Sequence, residues 1–359
     1  MKSKILMIGP FPEPIHGMSL SNKIIYDNLL SRSDIDVHKF DITLNRKLKS
    51  KSTQGKLNFL PVLSAILNLI KMIVFLFYYR KSICYFTPPQ SAYGYLRIVP
   101  GMLFSKLFGS KIIVHMHGAK FISYLDQAHD LVKRINLWSL RYVDDFIVLG
   151  RSLKDSHSHV VDVTKIRVCE NGVPDPKYQP SRKEDGKINV LFLSNLMKDK
   201  GIFEFLDAVE EIDDDRYDFS VAGCIETTNK REIEEKLNKL DSKITYHGLV
   251  GGSVKESLFK NADIFVLPSY DEGQPLSILE AYSYGCAVLV TNVGGVCDIF
   301  SDEINGRFIK IGSSSSISSS IKDMTRAEMA KFGSVNIQYY YEHFTEKDFV
   351  ERILNVLFD

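Results

Sequence analysis

Short apolar runs separated by polar stretches of helical length recur along the whole chain. Runs at 4–8, 37–40, 82–87, 111–116, 145–149 and 165–169 read as strands. A strand buried on both faces shows as a continuous apolar run rather than as an alternation. The segments between them read as helices: one running to about Leu30, one over 93–108 that ends near Gly109, and one over 128–142. The pattern then restarts. Strands are expected at 189–193, 219–223, 244–247, 264–267 and 287–291, and helices at 201–212, 230–240 and 254–260. Strands that alternate with helices at this spacing imply parallel sheets with helices on both faces. The polar stretch 175–187, with two prolines, is the expected linker. The fold class is α/β, with two doubly wound, Rossmann-like domains facing across a cleft. The first spans 1–172 and the second 173–336. A tail over 337–359 has helical apolar spacing at Phe349, Ile353, Val356 and Leu357.

Two segments depart from this rhythm. Residues 44–56 are strongly basic and poor in apolar side chains, which marks a membrane-facing or mobile segment rather than core. Residues 57–79 are the most apolar stretch, near the ~20 residues a bilayer span needs. Asn58, Pro61, Ser64, Asn68 and Lys71 interrupt it, so a helix packed on a sheet or partly immersed in a membrane surface is expected instead.

Charge sharpens that reading. The net charge of +1 conceals 24 Lys and Arg against 12 Asp and Glu over 1–170, and 21 against 32 over the rest. A basic half favours anionic lipid or nucleic acid as a partner. The 359 residues exceed one ordinary core, consistent with two domains. Five cysteines without a CxxC pair, four of them in or beside apolar runs, read as buried reduced thiols in a reducing compartment. The apolar core of the opening residues is too short for a secretory signal.

Candidate chemistry lies where strands end. In 269–295, SYDEGQPLSILEAYSYGCAVLVTNVGG, a loop holding Glu272, Gly273 and Pro275 precedes a helix that carries Glu280. The free N–H groups of about Leu276, Ser277 and Ile278 would form an anion site. A carboxylate can accept two hydroxyl hydrogen bonds from a ribose or a sugar. Lys200 stands before Gly201 at another helix start and suits a diphosphate. Gly17 follows the first strand and admits a ligand close to the backbone, with Ser19 or Ser21 as the expected cap. Ser152 is the expected cap of a later helix. His117 follows a buried strand and precedes Gly118. No metal-ligand spacing, phosphate-binding GxxxxGK[ST] or GxSxG occurs.

These residues resemble the family-4 retaining glycosyltransferases, which have the GT-B fold. PSYDEGQPLSILEAYSYGCAVLVTNVGG is similar to that family's E-x7-E segment, and FLSNLMKDKGIFEFLDAV to its phosphate-binding segment. GPFPEPIHGMS, VHMHGAKF, ENGVPDPKY and HGLVGGSVKESLFKNADIFVLPS resemble its first glycine loop, histidine motif, domain junction and base-binding segment. The resemblance implies that Glu280 binds ribose hydroxyls and that Glu272 faces the donor sugar. Lys200 would neutralise the diphosphate, with the backbone at Leu276 and Ser277 holding phosphate oxygens. Gly17 would lie over the phosphates, His117 would contact the transferring sugar, and Leu249 and Val250 would contact the base. It also implies a tail returning to the N-terminal domain. Asn195 stands where the family usually has an arginine, which removes one positive charge from the diphosphate clamp.

The expected function is a retaining, metal-independent hexosyltransferase. Its donor would be a UDP- or GDP-sugar and its acceptor a lipid-linked or other glycan, in cell-surface polysaccharide biosynthesis. No cofactor and no nucleic acid partner is expected. The expected location is cytoplasmic, peripheral on the inner face of the plasma membrane, with the basic segment against anionic lipid. The alternatives are a non-catalytic nucleotide-sugar-binding partner subunit, favoured by Asn195, and a nucleotide-sugar epimerase of the same fold.

Overall fold

The computed structural model describes residues 2–13, 15–43, 59–178 and 186–359. The expected membrane-facing segment, 44–56, and residues 179–185 of the expected linker lie outside the described residues. The chain divides into two compact units, Met1–Glu170 with Phe349–Asp359, and Asn171–Asp348.

In chain order the first unit holds β1 (Ser3–Gly9), α1 (Gly17–Leu30), β2 (Ile35–Asp41), α2 (Phe59–Tyr78), β3 (Ile83–Phe86), α3 (Ala92–Leu96), α4 (Val99–Leu107), β4 (Lys111–Met116), α5 (Phe121–Asp126), α6 (Asp130–Ser139), β5 (Asp145–Val148), α7 (Arg151–His157) and β6 (Ile166–Val168). The strands form one parallel sheet in the order β2-β1-β3-β4-β5-β6. Successive side chains on a strand point to opposite faces, so each strand feeds two cores. Leu6, Phe86, Val114 and Phe146 face one core; Ile5, Met7, Tyr85, Ile113 and Ile147 face the other.

The second unit holds β7 (Ile188–Leu193), α8 (Ile202–Glu211), β8 (Tyr217–Ala222), α9 (Lys230–Lys239), β9 (Ile244–Tyr246), α10 (Gly252–Asn261), β10 (Ile264–Leu267), α11 (Leu276–Ser283), β11 (Ala287–Thr291), β12 (Gly306–Ile309), α12 (Ser314–Asp323) and α13 (Arg326–His343). Helix α14 (Glu346–Phe358) follows. The sheet is again parallel, in the order β12-β11-β10-β7-β8-β9. Strand order reverses between β7 and β10 here, and between β1 and β3 in the first unit. In doubly wound sheets the crevice beyond the carboxyl ends of such a strand pair binds ligands. Both units are therefore the doubly wound layouts that the apolar pattern implied.

Local details differ from expectation for identifiable reasons. The helix expected over 93–108 is two, α3 and α4, with Pro100 in the first turn of α4. Proline lacks an N–H and disfavours helical backbone in the residue before it, so one helix cannot run through. His16, not Ser19 or Ser21, caps α1; Ser19 sits three residues on and completes a capping box. Gly150, not Ser152, precedes α7 as its cap. The tail is also two helices. Residues 337–343 lie in α13, which stays with the second unit: buried Asn336 donates to the Cys286 and Asn305 carbonyls at 2.7 and 2.9 Å, and Tyr340 Oη donates to Val173 O at 3.0 Å. Only Phe349–Asp359 joins the first unit. There Phe349, Ile353, Val356 and Leu357 pack against Ile5, Met7 and Tyr85, and Arg352 donates to Glu170 O at 3.0 Å. Cys84, Cys169 and Cys286 are buried free thiols, whereas Cys224 and Cys297 are exposed. Among the described residues no helix is long and apolar enough to cross a membrane.

Candidate active site

In the second unit the candidate residues converge where the strand order reverses. The turn after β7 carries Lys200 and the turn after β10 carries Glu272. Lys200 Nζ lies 2.7 Å from Glu272 Oε1, and Ser269 Oγ donates to the same oxygen at 2.7 Å. Thr291 Oγ1 at the end of β11 in turn donates to Ser269 O, and Gly295 N donates to Glu272 O at 3.0 Å. Glu272 is only 7% exposed, while the Lys200 side chain is 25% exposed. One carboxylate oxygen is thus held by both Lys200 and Ser269, the Glu272 backbone is held by Gly295, and the cation faces partly outward.

The backbone explains why Lys200 stands there. Gly201 has φ 73° and forms the left-handed cap of α8. A Cβ on Gly201 would fall 2.2 Å from Pro268 O, so the two turns approach more closely than any side chain permits. Tyr270 N donating to Asp199 O at 2.9 Å zips the same turns together.

Helix α11 starts beside Glu272. Pro275 is its N-cap residue, without a capping side chain, and Leu276 and Ser277 are its first residues. First-turn N–H groups lack helical acceptors and carry the positive dipole end, but Ile278 N already donates to Pro275 O at 3.2 Å, so the expected anion site reduces to Leu276 and Ser277. Gly273 is buried in the preceding loop. Gln274 is buried too: Asn171 Nδ2 donates to its carbonyl at 3.2 Å, and its Oε1 accepts from Asn171 N. Glu280, one turn along, is paired to Lys255 Nζ of α10 at 2.5 Å with its side chain 17% exposed. Burial pushes the Glu280 carboxyl up, and Lys255 opposes that shift. Leu249 and Val250 follow β9, with Leu249 63% exposed. Asn195 is exposed in the turn that leads to Lys200.

The first unit brings together a second set. The α1 cap His16 accepts from Ser19 N through Nδ1 at 3.3 Å, so its neutral ring carries the proton on Nε2. Gly17 opens α1, exposed, with nothing within 4 Å of where a Cβ would stand. His117 follows β4, its ring 3.9 Å from that of His115. Tyr85 Oη and His115 Nδ1 share a hydrogen bond. His117 Nε2 is buried with no hydrogen-bond partner among the described residues. Burial, then the nearby His16, lowers the His117 pKa to about 3, and burial holds His115 well below 6.5. Both rings are therefore neutral at physiological pH.

These histidines carry a stability prediction. Their folded pKa values lie below the unfolded value of about 6.5, so the unfolded chain binds more protons once the pH drops below that value. Their contribution is complete above about pH 6.5 and is lost as pH falls toward the folded values. Fully buried His115 alone sets a slope of up to ~1.4 kcal/mol per pH unit. Urea midpoints should fall clearly between about pH 7 and about pH 5; a flat profile would contradict neutral, buried rings.

Lys255, Ser269 and the Tyr85–His115 pair are not among the residues that the sequence patterns above point to. Ser269 was readable, since Ser three residues before Glu is a local pairing pattern. Lys255 was not, because it meets Glu280 only through the packing of α10 beside α11.

Comparison with known proteins bears on this arrangement. Residues 175–334 match the family described as "Glycosyl transferases group 1". The chain is 26% identical over 222 residues to the 2-deoxystreptamine N-acetyl-D-glucosaminyltransferase of Niallia circulans, covering 56% of this chain and 57% of that protein. It is 27% identical over 257 residues to the UDP-Gal:alpha-D-GlcNAc-diphosphoundecaprenol alpha-1,3-galactosyltransferase of Escherichia coli, covering 66% of each. The chain spans about half the length of the curated relatives it matches. Among solved structures, sucrose-phosphate synthase from Thermosynechococcus elongatus is similar with a TM-score of 0.81 at 16% identity, over 99% of this chain and 98% of that one. The Anabaena protein Alr3699/HepE in complex with UDP is similar with a TM-score of 0.74 at 16% identity, over 99% of both chains. At that identity the likeness is one of fold, the two-sheet GT-B architecture.

Proposed function

We propose that the protein is a retaining, metal-independent glycosyltransferase that moves a hexosyl group from a UDP-sugar to a lipid-linked glycan in cell-surface polysaccharide biosynthesis. The observation that carries this reading is the Lys200–Glu272–Ser269 cluster beside the N-terminus of α11, where the strand order reverses. It offers a positive charge, the N–H groups of Leu276 and Ser277 and a fixed carboxylate, which match a diphosphate joined to a polyhydroxylated ring. The UDP donor and the lipid-linked acceptor follow the Escherichia coli relative, whose description names both.

The chemistry follows from these groups. The bond between the sugar's anomeric carbon and the diphosphate oxygen breaks, and its electron pair stays on the diphosphate. Lys200 and the first N–H groups of α11 are charged or oriented before the reaction, so they stabilise that growing charge without reorganisation. An acceptor hydroxyl attacks the same face of the carbon, and its proton passes to the departing diphosphate. Configuration is retained. Glu272 accepts hydrogen bonds from the donor sugar and Glu280 from the ribose, while Leu249 and Val250 border the base. Neutral His117 Nε2, lacking a partner among the described residues, is free to bond a hydroxyl of the transferring sugar. Gly17 leaves room for phosphate over the start of α1.

The surface of α2 supports attachment to an anionic membrane, which the same reading places at the cytoplasmic face. Ile66, Ile70, Val74 and Phe77 are exposed along one side of it, with Lys71 among them and Arg80 and Lys81 just beyond. Apolar side chains flanked by cations suit a lipid interface.

Thermal shifts against UDP, GDP and their sugars, paired with transfer assays in EDTA, test the whole reading. UDP at 100 times its dissociation constant should stabilise by about 2.7 kcal/mol. Transfer from a UDP-sugar should survive EDTA and retain configuration, and the protein should float with anionic vesicles at low salt. Absence of any nucleotide shift would sink the donor assignment, and inversion would sink the mechanism.

A further inference from the structure

The first unit contains a cavity of 540 Å³ that none of the donor residues touches. It lies at the carboxyl end of β2, and Phe40, Ile42, Leu69, Met72 and Ile98 are among the apolar residues that line it. Its size and apolar lining with a few polar groups are those of a small-molecule site. Three features say what fits. First, Ile66 of α2 lines the cavity and is 48% exposed, so the wall continues into the apolar surface of α2. Second, exposed Arg97, in the break between α3 and α4, is the lining cation and has no ion-pair partner among the described residues. The lining anion, Asp41, accepts from Thr43 N at 2.9 Å. Third, the cavity lies at the same carboxyl edge of the sheet at which His117 follows β4.

We propose that this cavity binds the hydrocarbon chain of a phosphorylated lipid, with Arg97 meeting the phosphate. A flat membrane surface leaves a half-open apolar hollow of this depth unfilled, and a free sugar leaves most of its aliphatic wall uncovered. A single aliphatic chain uses both, and the apolar side of α2 supplies the route from a bilayer. The inference rests on the proposed transfer to a lipid-linked acceptor, and it names where that acceptor's lipid is held.

Titrating the protein with hexyl phosphate, decyl phosphate, decanol and inorganic phosphate, each below its aggregation threshold, tests the proposal. Each buried methylene tightens binding by about fourfold. Decyl phosphate should therefore bind one to one and at least ~10-fold more tightly than hexyl phosphate, with inorganic phosphate not detected. Ala65→Trp, which fills the cavity from α2, should weaken decyl phosphate by ~10-fold or more and leave the UDP thermal shift unchanged. Arg97→Gln, at an exposed position, should weaken decyl phosphate but not decanol, and it serves equally if Ala65→Trp does not fold. Equal binding of the two alkyl phosphates, or indifference of decyl phosphate to both variants, overturns the proposal even where UDP binds and transfer proceeds. Decyl phosphate binding with these dependences in a protein that ignores UDP would instead keep the lipid site and refute the transferase reading.

Discussion

Lys200→Met is expected to lower kcat/KM for sugar transfer by about 10²–10³-fold, the usual cost of removing one group that stabilises charge developing on a leaving oxygen. Lys200 Nζ stands 2.7 Å from Glu272 and is partly open to solvent, whereas Asn195, in the same turn, contributes no charge. The clamp therefore concentrates its side-chain charge in one residue. The substitution also leaves a carboxylate that is 7% exposed with Ser269 as its remaining side-chain donor among the described residues. An unpaired buried charge is destabilising, so a fall in Tm should accompany the loss of rate. The two effects separate in the double variant Lys200→Met with Glu272→Gln. It should recover much of the stability, because no unpaired charge remains, and none of the activity. Lys200→Arg should keep the charge and more of the rate. Full activity of Lys200→Met would remove the electrostatic argument.

Gly201→Ala is expected to be the most destabilising of the glycine substitutions in the site, by about 3 kcal/mol or more. A non-glycine residue at φ 73° costs roughly 1–2 kcal/mol in itself. The clash adds to this: the new methyl would lie 2.2 Å from the Pro268 carbonyl, which is backbone and cannot rotate away. Relief requires the turn that carries Lys200 to move from the turn that carries Glu272, so transfer should weaken along with stability. Gly17→Ala is the contrasting case. Its Cβ meets nothing within 4 Å, and the position is helical, where alanine is the better former. Its Tm should hold or rise slightly while the KM for the UDP-sugar increases, because only a ligand would occupy that space. Unchanged KM would show that Gly17 has no part in donor binding.

The two glycines also show what could be read before the structure. Both were visible as glycines at the starts of helices. That Gly201 serves the fold and Gly17 leaves open space depends on neighbours 67 and more residues away in the chain, or on their absence. The strands were legible for a simple reason. Ile264–Leu267 and Ala287–Thr291 are buried on both sides, so each had to be an unbroken apolar run. β12 leaves no such run, because Gly306 and Arg307 make half of its four residues. The break at Pro100 was local and readable; the cap at His16 was local but less so, since histidine is an uncommon cap.

The sequence by itself determined two doubly wound sheets, the turns that would carry chemistry, and the acids and cations on those turns. Apolar periodicity and turn chemistry act over a few residues and leave their record in order along the chain. Only the tertiary structure decided the pairings: Lys200 with Glu272, Lys255 with Glu280, Tyr85 with His115, and the cavity between β2, α2 and α4. Those contacts depend on which strands become neighbours and how helices cross them. Packing of the whole unit sets both, and no local pattern encodes either.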